Sequence, residues 1–216
     1  MSSPKPPAAA VLLVVSVFAL QLIRSQAQAA GREIRSSLRP TEPTIATELD
    51  AQLSYLEGQF VAAAEAMPEE KYAFLPANGE FGGVRTFALQ VRHVATSNLI
   101  FFSPILGQAL PPGVDPTGAT NGPDRLGTKE QILRYLRDSF ALGHRAIATI
   151  ATKNAIEPLP RSPVPFIKTR LGLASFSLAH AFDHYGQMVV YLRSNGIVPP
   201  GSVGQPPANP PKSSSR

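Results

Sequence analysis

Near its C-terminus the chain reads LAHAFDHYGQMVVYLRSNGIVPP, which places His180 and His184 four positions apart. On a helix that spacing turns both imidazoles to one face, about 40° apart. Gln187 and Tyr191 share the stripe, and Leu173 and Phe176 continue it upstream. Two histidines, a glutamine and a tyrosine on an apolar face are costly unless they are partnered. An i, i+4 pair by itself is a weak sign of metal binding. His93 strengthens it, because the stripe Leu89, His93, Ser97, Ile100 turns a third imidazole toward the interior of another helix.

Three neutral imidazoles would leave a divalent ion its full charge and at least one open position, as in catalytic rather than closed structural sites. Such an ion acidifies a water or takes a substrate oxygen or sulfur directly. Zinc, nickel and ferrous iron all accept imidazole, so the residues do not choose among them. Zinc–imidazole bonds of about 2.0–2.1 Å require the three nitrogens to stand roughly 3 to 3.5 Å apart. Around these ligands, Asp183 lies about 60° from His180 and can orient an imidazole from behind, and Gln90, one turn from His93, can do the same. Gln187 and Tyr191 are expected to line a cavity one and two turns below. His144 reads as a structural histidine at the edge of a third helix. Arg193 reads as a surface charge offsetting the helix dipole.

Helices must position these groups. Leu49, Leu53, Leu56, Phe60 and Ala63 recur at steps of four and three, which predicts a first helix from Thr44 that ends before Pro68. The loop PEEKYAFLPANGEFGG follows, and a second helix starts near Val84 to Thr86 and frays or kinks at Pro104. The segment QALPPGVDPTGATNGPDRLG is long for a plain helix connection and suits a crossover. Thr128 with Gln131 makes a capping box for a third helix, whose stripe is Ile132, Leu136, Phe140, Gly143, Ile147, Ile150. Pro158, Pro160, Pro163 and Pro165 exclude regular structure before a fourth helix from about Lys168 to Ser194, stopped by Asn195 and Gly196. The predicted fold class is all-α: a four-helix bundle with a long crossover between helices 2 and 3.

The N-terminus, with a basic start, the apolar run AAAVLLVVSVFALQLI and an A-x-A ending at Ala27 to Ala29, matches a secretory signal peptide. Residues 1–29 are assigned to it, 30–43 to a linker, 44–200 to the bundle and 201–216 to a disordered Pro-rich tail. The alternative is an uncleaved anchor helix. The expected location is the periplasm or the exterior, with no stable membrane insertion after cleavage. The chain has no cysteine, which excludes disulfides, thiolate nucleophiles and lipid attachment through cysteine. Its net charge of +5 falls to +3 once Lys5 and Arg24 are removed (5 − 2), too weak a bias for a nucleic-acid partner.

HYGQMVVYLRSNGIVPP, RTFALQVRHVATSN and MPEEKYAFLP resemble the DinB-like family of metal-binding four-helix bundles, in particular its secreted bacterial members, over residues 44 to 200. The resemblance implies a divalent metal on His93, His180 and His184, and frequent homodimers. It also brings relatives that are thiol-dependent transferases and isomerases, which use cytoplasmic thiols, whereas this chain reads as exported. Two functions compete: a metal-dependent hydrolase or transferase acting on a small-molecule substrate, or a non-catalytic metal-binding or sensing bundle. The histidine stripes carry no glutamate to serve as a base. A third reading, core histidines that bind nothing, requires no metal at all.

Overall fold

The computed structural model describes residues 42–77 and 79–205. The signal-peptide assignment, nearly all of the 30–43 linker and the tail beyond Gln205 lie outside the described residues. Four α-helices carry the fold: α1 (Ile45–Ala66), α2 (Phe87–Ile105), α3 (Lys129–Ala148) and α4 (Arg170–Ser194), and no strand occurs among the described residues. The all-α bundle expected from the periodicity is the observed architecture.

Each helix starts on a threonine. Thr44, Thr86, Thr128 and Thr169 sit in extended conformation, and each hydroxyl accepts an N–H of the first turn; Thr44 and Thr128 complete reciprocal boxes with Thr47 and Gln131. Each cap is worth about 1 kcal/mol. At the opposite end of α1, the Lys129 ammonium donates to the carbonyls of Glu65 and Met67. That pair of bonds ties the α1 C-terminus to the start of α3.

The α1 and α3 stripes match expectation, with Leu53, Leu56, Phe60, Leu136, Phe140 and Ile147 essentially inaccessible. Fully burying each of these side chains contributes roughly 1.5–3 kcal/mol. The structure corrects the reading of α2. A single inner stripe was expected, yet every residue from Gln90 to Ser103 is buried. The cause is the crossover between α2 and α3, which covers the face that α3 and α4 leave open. Arg92 Nη2 donates to the carbonyls of Gly122 (3.0 Å) and Pro123 (2.8 Å), and Thr96 Oγ1 is 3.0 Å from the Tyr135 hydroxyl. Gly122 permits this approach: its φ is +71°, and a Cβ there would lie 2.9 Å from Thr96 Oγ1.

Two boundaries also move. Helix α4 begins at Arg170 rather than Lys168, because the Lys168 carbonyl accepts the Leu159 N–H in a short extended pairing and Thr169 then caps the helix. Residues 200–202, across the expected boundary between bundle and tail, form a 3-10 turn where the Ser202 hydroxyl accepts a bond from Arg193. Arg193 therefore has a specific partner as well as a helix-end position. Gly196, at φ +74°, stops α4 as expected.

Candidate metal centre

Helices α2 and α4 run antiparallel. Gln90 meets His184 and Gln187, His93 meets His180 and His184, Asn98 meets Ser177, and Phe101 meets Phe176, so residue numbers fall on one helix as they rise on the other. This arrangement brings the three histidines together. One nitrogen from each lies within 4.8 Å of the other two. His93 Nε2 and His180 Nε2 are 3.2 Å apart, and the ring centroids of His184 lie 4.6 Å from those of both partners.

The outward nitrogens decide what the inward ones can do. His93 Nδ1 is 3.1 Å from the Thr120 carbonyl and 2.9 Å from the Thr120 hydroxyl. A carbonyl only accepts, so the proton sits on Nδ1 and leaves a lone pair on Nε2. His184 is fixed by a longer route. Gln187 Nε2 donates to Asp183 Oδ2 (2.9 Å), Gln90 Nε2 donates to Gln187 Oε1 (2.8 Å), and Gln90 Oε1 then faces His184 Nδ1 at 2.7 Å. The carboxylate can only accept, so it dictates the orientation of both amides and requires His184 to donate from Nδ1. Two lone pairs are thereby aimed inward from opposite helices.

Burial, first, and then the neighbouring imidazole and the Arg85 charge push each of the three imidazole pKa values down to about 4; for His93 the Arg85 charge outranks the neighbouring ring. The Asp183 carboxylate opposes this at His180 and His184. All three are neutral at pH 7, the protonation state a metal ligand needs. Two nitrogens bound to one tetrahedral zinc stand about 3.3 Å apart. The 3.2 Å separation of His93 and His180 fits a shared ion.

His180 is held differently. Its Nδ1 is buried with no hydrogen-bond partner among the described residues. The ring rests instead edge-on to Phe101 (5.4 Å) and stacked on Phe176 (6.4 Å). His180 and Gln187 lie on the edge of the buried face of α4, which centres on Leu173, Ala181, His184 and Met188. Tyr191, expected beside the histidines, is buried against Phe74, and its hydroxyl donates to the Arg85 carbonyl.

His144 stands outside this cluster. Its Nδ1 lies 2.6 Å from Asp50 Oδ1 and its Nε2 2.9 Å from Glu57 Oε2, both carboxylates of α1. The sequence reading placed His144 at an edge and missed these partners. Their spacing of seven on α1 puts both on one face two turns apart, which was the available signal. It also missed Arg85 and Thr120. Thr120 is the one non-glycine residue with positive φ among the described residues, at +52°. Backbone strain of this kind concentrates where a loop serves a site, but the sequence gives no periodic sign of it.

The family model of the DinB superfamily matches residues 52–188, more than half of the chain and all three histidines, and the chain belongs to that superfamily. No curated protein matches it significantly.

Proposed function

We propose that this DinB-superfamily bundle holds one divalent ion, zinc, nickel or ferrous iron, on His93, His180 and His184, and works outside the cytoplasm as a metal-dependent hydrolase or transferase of a small molecule. The observation that carries this reading is the pair of outward bonds, Thr120 to His93 and Gln90 to His184, which fix two lone pairs toward a common point. Bound there, the ion would supply Lewis acidity at an open coordination position. The chain itself contributes ligand orientation through Thr120, Gln90, Gln187 and Asp183. It contributes a dry surround through Phe101 and Phe176, which exclude water from one side of His180.

A second reading, a non-catalytic metal-binding or sensing bundle, is favoured by the use made of Asp183. The carboxylate beside the ligands is engaged in fixing amide orientation, which leaves it ill-placed as a general base.

Elemental analysis of protein purified from metal-supplemented medium tests the common core of both readings. One equivalent of divalent metal is expected. Alanine at His93, His180 or His184 should remove most of it, while His144→Ala should retain it. Metal-free protein with a normal fold would sink the proposal. A substrate screen on the loaded protein then separates enzyme from sensor.

A further inference from the structure

The geometry points to a substrate class for this centre: an organic acid with an apolar, preferably aromatic, body, its carboxylate on Arg85 and its body on the Phe101, Phe176, Phe166 wall. The inference rests on the metal reading above and extends it.

Arg85 precedes the Thr86 cap of α2, and its side chain reaches the crossover. Its Nε donates to Asn121 Oδ1 at 2.7 Å and its Nη2 to the Ala119 carbonyl at 3.1 Å. These acceptors flank Thr120, the residue bonded to His93 Nδ1. The guanidinium is thus anchored to the two residues that flank Thr120, beside the loop contact that holds His93. No carboxylate among the described residues lies within ion-pair distance of it. Two of its five N–H groups are used by neutral acceptors, which hold the fork in place and leave N–H groups on both Nη atoms for an anion. A partly buried cation held by two neutral bonds and lacking a counter-charge is suited to take one from a ligand.

The other end of the site has the opposite character. Along the antiparallel helices, Arg85 lies on the N-terminal side of His93, and Phe101 and Phe176 lie beyond His180 on the other. Phe101 packs edge-on to Phe176 (5.4 Å), and Phe166, 74% exposed, extends the wall edge-on to Phe176 at 5.9 Å. An exposed phenylalanine in contact with a partly buried one offers surface that only an apolar group covers with profit. Beyond Ile100 at this end of α2, a cavity of about 460 Å³ is lined by Ile100, Pro104, Leu110 and Pro163 among others. The order along the site is therefore cation, histidines, aromatic wall. A ligand that matches it carries its charge at one end, a donor atom in the middle and its apolar body at the other.

Isothermal calorimetry with 3-hydroxy-3-phenylpropionate, its uncharged amide and 3-hydroxybutyrate, on zinc-loaded and on metal-free protein, tests this. The phenyl acid should bind the loaded protein at least tenfold more tightly than either comparator, and the acid should stay ahead of the amide without metal. Arg85→Gln should erase the acid-over-amide preference at unchanged zinc content, and Arg85→Lys should restore part of it. Phe166→Ala, at an exposed position that does not threaten folding, should lower the preference for the phenyl group and leave the charge preference intact. Amide and acid binding within twofold of each other, an Arg85→Gln variant that binds the acid as the parent does, or no acid binding at millimolar concentration would overturn the inference. Failure to retain zinc with the acid preference intact would instead overturn the metal reading alone.

Discussion

Asp183 and His184 are neighbours in the chain, yet the hydrogen bonds that join the carboxylate to the imidazole run through the amides of Gln187 and Gln90. Adjacent residues on a helix point about 100° apart, so a direct bond is excluded. The detour crosses from α4 to α2 and back, and it makes the tautomer of a buried histidine depend on a surface charge.

Removing the last link should matter most. Gln90→Leu, close in volume and at a position 2% exposed, takes away the acceptor of the His184 proton and should weaken zinc binding about 10–100-fold. Asp183→Asn keeps an acceptor and should cost less than tenfold. Competition against a chromophoric chelator measures both. Nitrogen shifts of the metal-free protein should show His93 and His184 protonated on Nδ1, and an Nε2 proton on His184 would refute the relay.

The metal-free protein should lose stability in mild acid. The three clustered histidines have folded pKa values lowered to about 4, against roughly 6.5 in the unfolded chain. The unfolded state therefore binds more protons between these values, so the stability they contribute falls as pH drops from about 6.5 to 4 and levels off below. Urea midpoints across that range should follow this course, and a flat profile would contradict it.

His144 should act with the opposite sign. Burial alone would lower its pKa, but hydrogen bonds to Asp50 and Glu57 and their charges together outweigh burial and hold it above the ordinary value. Its contribution is complete below the unfolded pKa and disappears as pH rises through the folded one. In the difference between parent and His144→Gln, the stability gap should be widest at acidic pH and close on the alkaline side of 6.5. A gap independent of pH would show that the carboxylates do not bind the charged ring.

Two helix glycines should respond oppositely to alanine. At Gly186 nothing lies within 4 Å of an added Cβ, so Gly186→Ala should stabilise by about 0.5–1 kcal/mol. At Gly143 the Cβ would lie 2.8 Å from the ring of Phe102 and 3.0 Å from Leu53 Cδ2, both essentially inaccessible. Overpacking costs about 1–3 kcal/mol there, which offsets or exceeds the helix gain. Thermal melts in which Gly143→Ala matches the gain of Gly186→Ala would refute the tight approach of α3 to α1 and α2.

Helical period made most of the fold legible. Thr128 with Gln131, the α3 stripe and the shared face of His180 and His184 are patterns within one element, where 3.6 residues per turn fixes who neighbours whom. His93 was readable for the same reason. Arg85 meeting Asn121, Thr120 meeting His93 and His144 meeting Asp50 were not, because each joins segments at least 27 positions apart. A period says which way a side chain turns and nothing about which loop covers it. The all-round burial of α2 falls in that gap: Arg92 is covered by the crossover carbonyls of Gly122 and Pro123, and Thr96 meets the Tyr135 hydroxyl of α3.

His93 and His180 lie 87 positions apart, which sets when a shared ion could bind. Closing a chain segment of that length costs about 4 kcal/mol of entropy in addition to a length-independent term. Before α2 and α4 dock, the chain offers only the His180, His184 pair on a single nascent helix. The full set of ligands appears only once α2 and α4 have docked. An ion that needs all three imidazoles binds the docked bundle and not the unfolded chain, so it would stabilise the fold by an amount that rises with its free concentration.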